Sequence, residues 1–330
     1  MEKLISVIIP CYNAGQYLDI SLGSVYEQDY PNVELIVVND GSVDNSEEII
    51  LAWKERFARK GYSMKYLYQD NQGPAAATSA GLGLVSGQYL TLLDADDCFL
   101  PGSLRRRAAY LDMHMECDAM RSNGWVVRGE HRHLFVYGEA EKRCEDIFLA
   151  LLRGETNNWA GSYMVRTEAL FNFYPQREIY ASRYGQNLQL LLPLAYKKPV
   201  GFLDEPLMNY IQQAESLSHT ADASMAKKRE LENAAGYRDI RVHMLELIAK
   251  DAYEKQVFMR NIDGAYWRYI MQIADRHGDI DLLKTAYKNL KTAEKPMITD
   301  KIMRYQRTAP PVAIALRIVN KLGRTVFRKG

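Results

Sequence analysis

The chain has 330 residues, of which 47% are hydrophobic and 25% charged, and a formal net charge of +1. That length buries a substantial core and is long for one domain, so a main domain with an appendage is expected. The near-neutral charge removes any global pull toward nucleic acid, and charge-driven binding must be local.

Met1 is followed by two charged residues and the apolar stretch 4–10, too short for a membrane span and wrongly flanked for a signal peptide. A cytoplasmic protein is expected. Short runs rich in β-branched or aromatic residues lie at 4–10, 33–39, 65–69 and 89–93. The first two are almost continuously apolar, as strands buried on both faces of a parallel sheet are. Residues 15–28, 45–60 and 74–86 are each long enough for a crossover helix. Asp44 followed by Glu47 predicts a capping box for the second helix, and Pro74 suits the first turn of the third. The pattern predicts an α/β fold with an open, mostly parallel sheet over the first hundred residues.

A further helix is expected after Ser103, to about residue 116. Alternation over 119–137 predicts a hairpin that turns around residues 128–133, with Gly129 in the turn. Strands are expected at 162–166 and 200–203, flanking a helix at 186–196. From Ala223 onward, charged helix-periodic segments at 225–250, 254–277 and 280–295 predict a helical appendage. Three parts follow, 1–110, 111–222 and 223–330. After Pro310 and Pro311, apolar Val312, Leu316, Val319, Leu322 and Val326 run beside a basic row, Arg317, Lys321, Arg324 and Arg328. Such a helix suits an anionic membrane surface, and it equally suits packing on the protein. Cys11, Cys98, Cys117 and Cys144 form no CxxC and read as reduced thiols.

In an open parallel sheet, ligands bind beyond the carboxyl ends of the strands. Those ends read Cys11-Tyr12-Asn13, Asp40-Gly41-Ser42, Asp70-Asn71-Gln72-Gly73 and Asp94-Ala95-Asp96-Asp97. Crowding the carboxylates of Asp94, Asp96 and Asp97 raises the pKa of at least one unless a cation is shared. Mg²⁺ or Mn²⁺ would offset the repulsion and keep positions open for phosphate oxygens. A solvated acidic turn capping the next helix fits the same residues. Gly81, Gly83 and Gly87 do not have the dinucleotide spacing, and no phosphate-binding GxxxxGK[ST] loop is present.

Four ordered motifs, Ser6-Val-Ile-Ile-Pro-Cys-Tyr-Asn13, Val37-Val-Asn-Asp-Gly-Ser-Val-Asp44, Asn71-Gln-Gly-Pro74 and Leu92-Leu-Asp-Ala-Asp-Asp97, together resemble family 2 glycosyltransferases of the GT-A fold. The resemblance implies a mostly parallel sheet with helices on both faces. Residues 1–110 would bind a nucleotide-sugar and 111–222 an acceptor, with 223–330 appended. Pro10, Tyr12 and Asn13 would line the nucleotide pocket, and Asp40 would hydrogen-bond the base. Asp70, Asn71 and Gly73 would lie near base and ribose. Asp94, Ala95 and Asp96 would contact the donor, with Asp96 holding Mn²⁺ or Mg²⁺. Asp97, Trp159 and Gln186 would face the acceptor. The implied reaction is inverting transfer from a nucleotide-diphosphate sugar to an acceptor hydroxyl. A glycan or lipid-linked acceptor is implied by the further resemblance to bacterial surface-polysaccharide enzymes, which act in cell-surface polysaccharide or glycolipid synthesis.

Two departures from the family pattern stand out. Where members often carry Glu-Asp, with Asp as general base, this chain has Gln186-Asn187. An amide cannot accept that proton, so Asn187 would orient the acceptor and Glu178 becomes the candidate base. A lost base costs about 10²–10⁴-fold in rate, which leaves a non-catalytic nucleotide-sugar-binding subunit as the alternative. Ala77-Thr78-Ser79-Ala-Gly81 stands where the family commonly has Ala-Arg-Asn-x-Gly, so one cationic contact is missing. Asn158-Trp159-Ala-Gly-Ser162 resembles the acceptor wall, with Trp159 either stacked on a sugar or packed in the core. The stretch from Tyr210 to His219 resembles a closing loop, with His219 either near the diphosphate or solvated.

Overall fold

The computed structural model describes residues 2–144, 146–156, 158–212 and 223–327. The chain divides into two compact units, Met1–Ser216 and Leu217–Gly330.

In the first unit, β1 (Ile5–Cys11), β2 (Val33–Asp40), β3 (Ser63–Gln69) and β4 (Tyr89–Leu92) are parallel. β1 lies between β2 and β4, and β3 lies outside β2. The crossovers are α1 (Gly15–Tyr26), α2 (Ser46–Lys60) and α3 (Pro74–Gly83). Ile5, Val7 and Ile9 with Val33, Leu35 and Val37 form one core with Leu18 and Leu22 of α1 and Ile50, Trp53 and Phe57 of α2. On the other face α3 presses on β1 so closely that a Cβ at Gly81 would meet Cγ2 of Ile8 at 2.7 Å. Both faces are therefore covered, which is why β1 and β2 are continuously apolar. At the amino ends of the strands, Glu34 is 1% exposed. It accepts hydrogen bonds from the Ser6 hydroxyl, from Lys65 Nζ at 2.8 Å and from the Ser86 N–H at 2.6 Å.

α2 ends at Gly61 (φ 82), whose left-handed backbone lets Tyr62 return its N–H to the Phe57 carbonyl at 3.1 Å. The capping box expected from Asp44 and Glu47 does not form. Asp44 accepts the Ser46 N–H at 3.0 Å and the Gly15 N–H at 2.9 Å, so one carboxylate serves the starts of both α2 and α1. Glu47 instead accepts from the Tyr66 hydroxyl at 2.9 Å. α1 has no side-chain cap of its own, which explains where Asp44 is drawn.

Beyond β4 come β5 (Cys98–Phe99), α4 (Ser103–Met113), β6 (Ala119–Arg128) and β7 (His131–Leu134). The hairpin of β6 and β7 turns at Gly129 (φ 57), as its alternation predicts. α5 (Glu139–Lys142), α6 (Ile147–Arg153), β8 (Tyr163–Arg166), α7 (Thr167–Phe173), α8 (Gln186–Ala195) and β9 (Val200–Ile211) follow. β8 continues the sheet antiparallel to β4, and β6 and β9 extend it. β9 runs well past residue 203, because register shifts against Ser122 and Asn123 accommodate Pro206 within the strand.

The second unit contains α9 (Ala223–Ile248), α10 (Ala252–Arg276), α11 (Ile280–Ala293), α12 (Ile298–Gln306) and α13 (Pro310–Phe327). Asp251 and Asp279 cap α10 and α11. Ile270, Met271, Ile273 and Ala274 of α10 pack with Leu283, Ala286 and Leu290 of α11. α13 lies against α12 and buries Ala313, while Val312, Ile314, Ile318 and Val319 are exposed. Among the described residues no helix is long and apolar enough to cross a membrane.

Candidate functional site

The carboxyl ends of β1, β2 and β3 are stitched together by short polar side chains. Asn13 adopts a left-handed backbone (φ 48), which Asn tolerates. Its N–H donates to Ser42 Oγ at 2.9 Å, and its Oδ1 accepts from the Val43 N–H at 2.9 Å. Pro10 is partly buried beside it, whereas Tyr12 is 52% exposed and so is not a core aromatic. Gly41 (φ 76) lies where a Cβ would meet the Asn71 nitrogen at 2.7 Å, which brings the ends of β2 and β3 close.

Asp40 is buried and faces inward to its own protein. Oδ1 accepts from Gln69 Nε2 at 2.7 Å and the Gln72 N–H at 3.0 Å, and Oδ2 accepts from the Gly73 N–H at 2.8 Å. Of the roughly four acceptor positions of a carboxylate, one is left. Asp40 therefore shapes the loop into α3 first, and only its remaining position faces other partners. Asp70 and Asn71 are exposed on that loop, and Gly73 takes φ 90 as α3 begins.

After β4 the chain turns sharply, with the Asp97 N–H bonded to the Asp94 carbonyl at 3.1 Å and Ala95 buried. Asp94 and Asp96 are half-buried and Asp97 is wholly buried. Burial, followed by the charge of Asp96, pushes the Asp94 carboxyl up to about 7. Burial likewise raises Asp96. Burial and then its two neighbours hold Asp97 well above the carboxylate range. Asp97 Oδ1 accepts the Ile211 N–H at 2.9 Å, tying the turn to the end of β9, while Oδ2 has no partner. Asp97, expected to face an acceptor, is thus an internal anchor. Among the described residues no cationic side chain pairs with these three carboxylates.

Tyr163 links this turn to α8. Its buried hydroxyl donates to Asn187 Oδ1 at 2.8 Å, and its ionisation is suppressed by burial and by the charge of Asp94. Asn187 is therefore brought to the carboxylate cluster, with Gln186 half-buried beside it after Gly185 (φ 67). Tyr163 carried no signal in the sequence beyond that of a strand residue. Thr78, at the position of the family arginine, is buried and bonds the Pro74 carbonyl at 2.8 Å.

Glu178 lies on the irregular path between α7 and α8. It is exposed, and its neighbour Arg177 bonds the carbonyls of Gly83 at 3.4 Å and Val85 at 3.0 Å. Those carbonyls lie at and just beyond the carboxyl end of α3. Ile179 contacts Ser79 midway along the same helix. Two residues after Glu178, the Tyr180 N–H donates to Gln189 Oε1 at 2.8 Å and its carbonyl accepts from Gln189 Nε2 at 3.0 Å, so the segment that carries Glu178 runs from α3 to the helix that bears Asn187.

Trp159 is partly buried. Tyr210 stacks on its ring at 4.8 Å between centroids, and Phe135 meets it edge-on at 4.3 Å. Packing thus occupies much of the ring expected to stack on a sugar. His219 and the rest of residues 213–222 lie outside the described residues.

The family model for glycosyl transferase family 2 matches residues 6–174. Glycosyltransferase GlyG of Streptococcus pneumoniae serotype 4 is 41% identical over 98 residues, 29% of this chain and 31% of its own length. Glycosyltransferase GlyA of the same organism is 43% identical over 97 residues, 29% of this chain and 13% of its own. The aligned part thus spans less than a third of these relatives. Among solved structures, S. aureus TarS 1-349 in complex with UDP-GlcNAc has a TM-score of 0.54 at 18% identity, covering 92% of this chain and 91% of that one. Mannosyltransferase PcManGT from Pyrobaculum calidifontis, in complex with GDP-Man and Mn²⁺, has a TM-score of 0.50 at 16% identity, covering 97% and 87%.

Proposed function

The chain belongs to glycosyl transferase family 2 and has the GT-A fold, and on that footing we propose that it moves a sugar from a nucleotide-diphosphate donor to an acceptor hydroxyl with inversion. The observation that carries this reading is the crowded set of Asp94, Asp96 and Asp97, with no cationic partner among the described residues and with Asp97 Oδ2 unpartnered. Such a set fits Mn²⁺ or Mg²⁺. No group of three or more His, Cys, Asp or Glu among the described residues is arranged to hold an ion alone, so diphosphate oxygens would complete its shell. Asp96 would be the protein ligand. A divalent ion bound there supplies charge stabilisation for the departing diphosphate.

The chain's own residues then divide the work. Pro10, Tyr12 and Asn13 line the nucleotide, and the last acceptor position of Asp40 meets a base N–H. Asp70, Asn71 and Gly73 lie along base and ribose, while Asp94 and Ala95 border the sugar. Tyr163 takes up Asn187 Oδ1, which leaves the amide Nδ2 to donate to an acceptor oxygen. Trp159 and Gln186 bound the acceptor side. The complexes of TarS with UDP-GlcNAc and of PcManGT with GDP-Man and Mn²⁺ support this reading.

Thermal melts with UDP-GlcNAc and GDP-Man, each with and without Mn²⁺, test it. A donor at about 100 times its dissociation constant adds roughly 2.7 kcal/mol, and Asp96→Ala should abolish the Mn²⁺-dependent part. Absence of a metal-dependent shift with any nucleotide-sugar would overturn the proposal. One observation favours a second reading, a nucleotide-sugar-binding subunit without transfer: Asn187, bound through its Oδ1 to Tyr163, is an amide and cannot take the acceptor proton. Saturable donor binding with no nucleotide released across a broad acceptor panel would select that reading.

The exposed Val312, Ile314, Ile318 and Val319 of α13 support a place on the inner face of the plasma membrane and a lipid-linked glycan acceptor, within surface polysaccharide or glycolipid synthesis. Residues 310–330 contain five Lys or Arg and no Asp or Glu, the balance an anionic lipid surface attracts.

A further inference from the structure

We propose that a cavity at the amino ends of β1 and β4, at the opposite edge of the sheet from Asp94 and Asp96, binds a small phosphorylated molecule. Its volume is about 600 Å³, within the range of small-molecule sites. Lys3, Arg166, Arg177 and Lys198 line it against only Asp118 and Glu168, a surplus of positive charge. Lys3 is engaged by Asp112 at 2.5 Å and Lys198 by Asp118 at 2.6 Å. Arg166 feels the charges of Asp112 and Glu116, whereas Arg177 forms no ion pair among the described residues. Arg166 is held by the carbonyls of Cys117 at 2.9 Å and Leu111 at 2.6 Å, and Arg177 by that of Val85 at 3.0 Å.

Carbonyls orient a guanidinium without cancelling its charge. Arg177 is further fixed against the Phe171 ring, 4.5 Å from its centroid. Its Nη1 is used on carbonyls, which leaves Nε and Nη2 as a pair of donors with the fork geometry that grips phosphate oxygens. Thr167, 7% exposed, also lines the cavity, and its hydroxyl has no hydrogen-bond partner. The volume exceeds what a bare phosphate fills. Val85, Ala169 and Phe171 give apolar walls for the body of a sugar phosphate or similar ester.

The test is calorimetric titration of the full chain in EDTA with glucose 1-phosphate and pyrophosphate, and with glucose as the neutral control. EDTA removes the divalent ion that phosphates would share with the strand-end carboxylates. Glucose 1-phosphate should bind and glucose should not. Arg177→Gln and Lys198→Gln should each weaken binding about tenfold, the worth of one charge-assisted hydrogen bond. Asp96→Ala should leave it unchanged. Lys198 is exposed, so its variant decides the matter if Arg177→Gln does not fold. Lack of binding up to roughly 10 mM, a weak site by any measure, overturns the proposal. So does binding that ignores Arg177→Gln and Lys198→Gln, or that disappears in Asp96→Ala.

Discussion

Burial alone would push the Glu34 carboxyl upward, yet hydrogen bonds from Lys65, Ser6 and Ser86 outweigh it and hold the group down at about 2. A carboxyl with a folded pKa below its unfolded value stabilises above the unfolded pKa, about 4.3. That stability is lost as pH falls toward 2. Glu34→Gln should therefore lower unfolding free energy at pH 7 by about 3 kcal/mol. In urea melts the gap from the parent protein should shrink steadily as pH falls from about 5 toward 2. A gap that stays constant across that range would show the stabilisation does not come from the ionised carboxylate. At this scale the strand-end motifs were legible, since Tyr12, Asn13, Asp40 and the Asp94 turn do gather at one edge. What each carboxylate does was not. Asp40 spends itself on backbone N–H groups of Gln72 and Gly73, and Asp97 on Ile211, partners distant in sequence that no local pattern announces. The position of Glu178 was not legible either, because the path from Phe173 to Gly185 is irregular and periodicity says nothing about where such a segment passes.

Long elements declared themselves through periodicity. β1, β2, α2 and α10 fall close to where their apolar spacing puts them, whereas α6, α7 and β5 are too short to show a period, and Asp204, Glu205 and Pro206 disguise the middle of β9. Close approach was equally hidden. Gly81 looked like part of a failed glycine fingerprint, and the structure makes it the contact where α3 meets Ile8. Gly81→Ala would gain about 1 kcal/mol in helix propensity, yet overpacking of a tight core costs about 1–3 kcal/mol. A lowered melting temperature is the expected balance, with donor binding weakened as well, because the same helix starts at the Gly73 loop. An unchanged or raised melting temperature would mean that Ile8 yields without cost.

For the whole molecule, apolar patterning predicts an α/β unit followed by helices, and contacts divide the chain at Ser216 and Leu217. The proposal for α13 belongs to this scale. Deleting residues 310–330 should cut co-sedimentation with anionic vesicles severalfold, each basic residue near such a surface being worth about 1 kcal/mol, while leaving binding to neutral vesicles low. Equal sedimentation of the full and shortened chains would reject the membrane role. The sheet order has a further consequence, for the birth of the protein. β1 precedes its sheet partners in the chain but sits in the interior, and its second neighbour, β4, begins at Tyr89 and is itself flanked by β8, which begins at Tyr163. A chain under synthesis must therefore carry β1 without its second neighbour until β4 has emerged, and β4 in turn without β8 until residues Tyr163–Arg166 follow. During synthesis those two intervals are when β1 and then β4 are open to wrong partners.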